Sequence, residues 1–297
     1  TVTEQLFELP ESYLAIIEEA KKVAQQVAPY AHHADEADHF DPNVRQILAE
    51  SGLCSLTVPK KFGGRFEEVD ALAVTVVREQ LAYESAHVDS MFCMQGIGSY
   101  ALAQGGSPAL QEAWLPAVGR LESIAALGLT EPDVGSDLRA ITTTIEVEGD
   151  LLRINGHKSF ITNAGDADFY TMLGKETVDG EIAYSLVLIP ASTPGLSVSH
   201  PHQIIAPHVL GDVIMKDVMV PSSHRIGEPG KGFNLVLATL STFRVSVAGA
   251  AIGIAQAALD EATKHAAGRE QFGVPLARLG GIPAQLANSW AEIEMAR

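Results

Sequence analysis

The sequence predicts an α+β protein in three consecutive parts: an N-terminal α-helical domain, a central β-barrel- or sandwich-like domain, and an incomplete C-terminal helical bundle. Three observations carry this. Apolar residues recur at helical spacing up to about Leu121, the pattern becomes strand-like from about Ile124 to Ile226, and it turns helical again after Gly230-Lys231-Gly232. The parts are 1–123, 124–229 and 230–297. A chain of 297 residues can bury a sizeable core, and the central part falls within the usual domain size.

In the first part Leu14, Ile17, Val23, Ala24 and Val27 mark one helical face, with Pro29 as a plausible stop. Asp41 reads as an N-cap with Pro42 at the first helical position, and Gly52 closes that helix. Further helices span about Val69 to Tyr83 and His87 to Ala103; Gly105-Gly106 end the second, and Ser107-Pro108 start another. In the central part Thr142 to Glu148 alternates, and Leu151 to Ile154 follows across Gly149-Asp150 as a hairpin. Phe169 to Leu173, Tyr184 to Ile189 and Val213 to Val220 are further strands, bounded by Pro190 and Pro221. In the third part a helix runs from Phe233 to about Ala267, rich in small residues that permit close packing. A last helix begins near Pro283 and still runs at Arg297 without Gly, Pro or a cap, as expected of a chain cut short.

The apolar share of 46% and charged share of 19% are ordinary for a soluble domain. No apolar run approaches bilayer length; the longest, Ser246 to Leu259, is interrupted by Gln256, glycine and small residues. No signal peptide precedes Thr1, where an acidic, helix-like segment opens, so a cytoplasmic location and no membrane partner are expected. Cys54 and Cys93 are isolated in apolar helical contexts and read as buried reduced thiols, not a disulfide or zinc set. The ten histidines form no spaced metal motif, and His32 and His33 should face water. A formal charge of −17 without a basic stripe argues against a nucleic-acid partner. An anionic cofactor can still be held by a few arginines and backbone amides.

The chemistry-bearing segments lie at the joints between parts. Leu127-Gly128-Leu129-Thr130-Glu131-Pro132-Asp133-Val134-Gly135-Ser136-Asp137 follows an apolar strand, so it is a loop whose amides and hydroxyls face a ligand, or a turn with an Asx or Ser cap. Phe160-Ile161-Thr162 ends a strand after a turn at Asn155-Gly156, and its simplest role is core packing. Arg269 follows a long helix, where a cation favours the helix dipole.

Taken together with Gly52-Leu53, Pro59, Phe62-Gly63-Gly64, Asn155 to Asn163, Gly230-Lys231-Gly232-Phe233 and Arg269-Glu270-Gln271-Phe272-Gly273, these segments resemble, in order along the whole chain, the acyl-CoA dehydrogenases. The resemblance implies FAD as cofactor and an acyl-CoA thioester as substrate. It also implies hydride transfer to flavin, an electron-transfer flavoprotein as acceptor, and a homodimer or homotetramer. By that likeness Leu127 and Leu129 offer backbone groups to the flavin, Thr130 bonds its pyrimidine edge, and Ser136 reaches the pyrophosphate and borders the substrate. Phe160, where many members carry Trp, covers an isoalloxazine edge beside Ile161, and the Thr162 hydroxyl approaches the nitrogen that receives hydride. Arg269, Gln271 and Phe272 reach the FAD of a neighbouring subunit, though Leu279-Gly280-Gly281 stands where members often have a Gln. Arg244 matches an arginine near the thioester. The alternative catalytic Glu of some members falls at Phe243, so the base is expected beyond Arg297; Glu131 would point away, and Glu261 and Glu270 would be solvated. A flavin-dependent oxygenase or reductase on the same fold, or a cofactor-binding subunit without the base, are the alternative functions.

Overall fold

The computed structural model describes residues 9–202, 204–205 and 208–297; the helix-like opening expected at Thr1 lies outside them. The N-terminal helices are α1 (Glu11–Asp35), α2 (Pro42–Ser51), α3 (Ala71–Glu84), α4 (Ala86–Gly105) and α5 (Pro108–Gly119). Local chemistry sets most of their ends. Asp41 accepts from the N–H groups of Asn43 and Val44, Asp70 caps α3, Ser85 caps α4 and Ser107 caps α5. Gly52 ends α2 at φ +68°, a left-handed conformation that favours glycine. Pro29 does not stop α1. The buried stripe of Ile16, Ala20, Val23, Ala24 and Val27 continues past it to Ala31 and Ala34, and that packing outweighs the lost backbone hydrogen bond. Cys54 and Cys93 are free and buried, and His32 and His33 are exposed, as expected.

The central part is one sheet of eight strands: β1 (Ala125–Gly128), β2 (Thr144–Glu148), β3 (Leu151–Thr162), β4 (Phe169–Val178), β5 (Glu181–Pro190), β6 (Leu196–Ser199), β7 (Leu210–Pro221) and β8 (Arg225–Ile226). Its order is β6-β7-β3-β2-β4-β5-β8, and β1 pairs in parallel with β4. The sheet does not close into a barrel. Its end strands are short, four residues in β6 and two in β8, and β8 leads at once towards the next helix, which protects that edge without closure. The turn expected at Asn155-Gly156 is absent: β3 runs straight through it. Gly149, at φ +60°, already makes the hairpin, and Gly156 lies so close to Thr143 that a Cβ there would sit 2.3 Å from its Oγ1.

Two bulges break the β3–β7 ladder. Opposite Ile154–Gly156 the extra residue is on β7, with Asp217 at φ +50°; opposite Gly211–Val213 it is on β3, with Phe160 at φ +56°. The first preserves the inward parity of Leu152, Ile154 and Lys158, all buried. The second inverts it, so Ile161 points into the core and Phe160, 53% exposed, is turned outward.

The C-terminal part comprises α6 (Gly232–Gly268), a hairpin of β9 (Glu270–Gln271) and β10 (Val274–Pro275), and α7 (Ile282–Ala296). By length and composition α6 could span a membrane, contrary to the expectation that no segment approaches that length. Counting only strongly apolar runs had missed the long low-charge stretch of Ala, Gly and Val between them. The helix packs lengthwise on α3, where small residues bring the backbones together: a Cβ on Gly249 would sit 2.2 Å from the Thr75 carbonyl, and one on Gly253 would sit 2.2 Å from that of Glu79. A buried ion pair fixes the register. Arg78 of α3 donates through Nε and Nη2 to both oxygens of Asp89 in α4 (2.8 and 2.7 Å) and through Nη1 to Ser246 of α6 (3.0 Å). Glycine at 249 and 253 is therefore a packing requirement. Gly249→Ala and Gly253→Ala should each destabilise the protein by about 1–3 kcal/mol in denaturant unfolding. Gly268→Ala, which meets nothing within 4 Å, should be neutral or mildly stabilising.

Candidate functional site

The site grows from the end of β1. This short strand is pinned at its start by Gln95 of α4, whose amide donates to the carbonyls of Val118 (3.0 Å) and Ser123 (2.7 Å) and accepts from the Ala125 N–H (3.1 Å). Asn163 donates to the Ala125 carbonyl (2.9 Å), and Asp168 accepts from the Ile124 N–H (2.7 Å). α4 lies almost in backbone contact with β1, since a Cβ on Gly98 would be 2.7 Å from that of Ala125. Leu127 thus sits in a fixed ladder position opposite Thr171 of β4.

Beyond Gly128 the chain leaves the sheet and returns to it at β2, which pairs farther along β4 than β1 does. The excursion is closed by Glu131. Its Oε2 accepts from the N–H and hydroxyl of Thr142 (2.6 and 2.7 Å), and its Oε1 accepts from the N–H and hydroxyl of Thr143 (3.0 and 2.6 Å). Lys158, on the inward face of β3, donates to the same Oε1 and to the Leu129 carbonyl, each at 3.0 Å. Both charged side chains are buried. Burial opposes the Glu131 charge, but the threonine donors and Lys158 hold its carboxyl down at about 2; burial pulls the Lys158 ammonium down to about 8 against the attraction of Glu131. At neutral pH the pair is ionised. Glu131 is a saturated, buried clamp, both of its oxygens being taken by Thr142, Thr143 and Lys158.

With the loop clamped, the Ser159 N–H donates to the Thr130 carbonyl (2.9 Å), placing Leu129-Thr130 against Phe160-Ile161-Thr162. The Leu129 carbonyl is taken by Lys158, so what Leu129 offers outward is its N–H. That group, the Thr130 N–H and hydroxyl, and the Thr162 hydroxyl have no protein partner among the described residues; Thr130 and Thr162 are half-buried. The Ser136 hydroxyl farther along the loop is exposed and likewise unpaired. Open donors, two hydroxyls and an outward aromatic ring suit a flat heteroaromatic ring with polar edge atoms, so the residues present fit a flavin. Ile161 has its side chain in the core and can contribute only backbone.

A second carboxylate supports the bulge. Asp212 of β7 accepts from the Ser159 hydroxyl (2.6 Å), from Nε2 of His202 (2.6 Å) and from Nε2 of His157 (2.8 Å). Burial opposes its charge, but these donors hold its carboxyl down at about 2. The His202 ring stacks on Phe160, centroids 3.9 Å apart and planes 20° from parallel.

Among the described residues, none of the remaining expected residues hydrogen-bonds to this strip. Arg269, Gln271 and Phe272 lie on the β9–β10 hairpin, which packs on α6; the Phe272-Gly273 turn is left-handed at both residues, and Phe272 is 94% exposed. The Arg269 side chain is exposed without an ion pair among the described residues. Arg244 is exposed on α6, whereas Phe243 is buried, edge-on to Tyr100 and pressed to Gly96, where a Cβ would be 2.4 Å from the ring. Sequence reasoning missed Lys158, Gln95, His202 and Asp212. Only Lys158 had a readable signal, a charge in phase with Leu152 and Ile154 on the core face.

Three family models match in succession: the acyl-CoA dehydrogenase N-terminal domain over residues 10–122, the middle domain over 126–218, and the C-terminal domain over 230–297. Cyclohex-1-ene-1-carbonyl-CoA dehydrogenase of Syntrophus aciditrophicus (strain SB) is 35% identical over 295 residues, 98% of this chain and 71% of the relative. Glutaryl-CoA dehydrogenase of Desulfococcus multivorans is 31% identical over 283 residues, 93% and 72% of the two chains. The solved butyryl-CoA dehydrogenase of Megasphaera elsdenii superposes with a TM-score of 0.89 at 28% identity, covering 97% of this chain and 77% of that one.

The clamp makes two expectations. Lys158→Met leaves the Glu131 charge buried without its cation and should cost about 3–5 kcal/mol in denaturant unfolding, with part recovered in the double variant Glu131→Gln/Lys158→Met. Glu131 and Asp212 have folded pKa values near 2, below their ordinary 4.5 and 3.8, so their contribution is complete above those values and lost as pH falls towards 2. The urea midpoint should therefore drop steeply over that window, and less steeply in Glu131→Gln.

Proposed function

The chain belongs to the acyl-CoA dehydrogenase family, and from that premise we infer that it is an FAD-dependent oxidoreductase acting on an acyl-CoA thioester by α,β-dehydrogenation. The observation that supports the reading is the strip of unpaired donors from Leu129 to Thr130, beside Thr162 and the outward Phe160. FAD, when bound, supplies the acceptor for the hydride leaving the β carbon. The chain's own residues bind and orient. The N–H groups of Leu129 and Thr130 and the Thr130 hydroxyl donate to the polar edge of the ring system, next to the fixed carbonyl of Leu127. Phe160 covers an edge and excludes water, with the backbone of Ile161 beside it, and the Thr162 hydroxyl donates at the reacting nitrogen. Ser136 serves the pyrophosphate and the thioester end of the substrate, and Arg244 the thioester.

Arg269, with Gln271 and Phe272, serves the pyrophosphate of a second copy, because the hairpin that carries it packs on α6 and, among the described residues, makes no hydrogen bond to the strip. A dimer or tetramer is part of this reading. So are an electron-transfer flavoprotein as electron acceptor and a cytoplasmic location.

Proton removal from the α carbon needs a free base within hydrogen-bond reach. Glu131 is saturated, Phe243 has no acid–base group, and Glu261 and Glu270 are exposed on α6 and the hairpin. None of these four residues is therefore a placed base, which supports a second reading, a cofactor-binding subunit. FAD titration of the folded protein should give a yellow complex, and Arg269→Ala should weaken it with the melting temperature unchanged. Anaerobic mixing with short, branched and cyclic acyl-CoAs should bleach the flavin band slowly at best. Absence of any flavin complex at high micromolar FAD would remove the cofactor reading, and rapid bleaching would place a base among these residues.

A further inference from the structure

Phe160 is the extra residue of a bulge and adopts a left-handed φ of +56°, a conformation unfavourable for a non-glycine residue. An outward ring on such a backbone has few neighbours to fix it. Here one face is covered by His202, in near-parallel contact at 3.9 Å between centroids. His202 comes from the β6–β7 connection and is held by Asp212, to whose Oδ1 its Nε2 donates at 2.6 Å. Asp212 also takes the Ser159 hydroxyl at 2.6 Å and His157 Nε2 at 2.8 Å, so the same carboxylate grips β3 on the residue before Phe160 and fixes the ring that backs it. Asp212 is buried and the His202 side chain is 16% exposed, so neither is a freely moving surface group.

We propose that His202 is a positioning residue for the cofactor site: held by Asp212, it backs the Phe160 ring and fixes the aromatic wall that the flavin meets. This rests on the reading of Phe160 as a flavin contact. In this reading the wall would have two layers, Phe160 facing the cofactor and His202 stacked behind it, so that His202 would act through Phe160. A ring at 202 is the requirement, and the hydrogen bond to Asp212 sets its tilt.

Two variants separate ring from hydrogen bond. His202→Gln keeps a donor for Asp212 and removes the ring; His202→Phe keeps the ring and removes the donor. A stacked aromatic pair contributes enough to change affinity roughly 2- to 10-fold. His202→Gln should weaken FAD binding by that factor and alter the visible absorption band of the bound flavin, while His202→Phe stays within about 2-fold of the parent. Melting of the apoprotein, followed in parallel, should move little in His202→Gln, which keeps a donor for the buried Asp212, and fall in His202→Phe, which removes one of its three; lost affinity in His202→Gln without a melting change separates positioning from general stability. Phe160→Ala tests the underlying reading and should disturb both affinity and band. If Phe160→Ala does so and His202→Gln matches the parent, the positioning role is wrong and the flavin contact stands. If Phe160→Ala matches the parent, the flavin contact fails and the positioning role falls with it. Equal losses in His202→Gln and His202→Phe, tracking a fall in apoprotein melting temperature, would also overturn the proposal by making His202 merely structural.

Discussion

The structure around the cofactor strip depends on one buried ion pair, Glu131 with Lys158. A lysine with no exposed side-chain surface is costly unless its charge is matched, and here the match is a carboxylate that also receives four donors from Thr142 and Thr143. That arrangement closes the loop from Leu129 to Thr143 onto β3. It consumes the Leu129 carbonyl while leaving the N–H groups of Leu129 and Thr130 facing outward. The pair thus sorts the loop's backbone into groups satisfied by the protein and groups left for a ligand.

The second constraint is the bulge that lifts Phe160 out of β3. Period-two alternation alone would put residue 160 on the core face with Lys158, and one extra residue moves it outward while Ile161 takes the inward position. Bulge and clamp meet at Ser159, whose N–H reaches Thr130 and whose hydroxyl reaches Asp212. The flavin strip is therefore braced from the loop side by Glu131 and from the β7 side by Asp212, both carboxylates kept ionised by hydrogen bonds that outweigh burial.

Much of this was legible in the sequence where the signal is local. Asp41-Pro42, Ser107-Pro108 and Gly52 act through their own backbones, and they cap and end helices as read. Pro29 misled because the apolar stripe that overrides it extends beyond the proline on both sides. Asn155-Gly156 carries turn chemistry but is held in a strand by Thr143, which comes from another element. The loop and strand segments of the strip were found through motif resemblance, and the structure ties Thr130 to Ser159, three residues before Thr162 on the same strand. The arginine of the hairpin makes no hydrogen bond to the strip among the described residues. Gln95, Asp212 and His202 were illegible for a physical reason: each acts by bridging elements far apart in sequence, and no local spacing encodes such a bridge.

Amide hydrogen exchange, residue by residue with and without FAD, tests the central claim most directly. The amides of Thr142, Thr143 and Ser159, bound within the protein, should be protected in both states, whereas those of Leu129 and Thr130 should exchange fast in the apoprotein and become protected when FAD binds. Slow exchange at Leu129 and Thr130 without FAD, or no change on saturation with it, would contradict the assignment of this clamped loop as the flavin-binding edge.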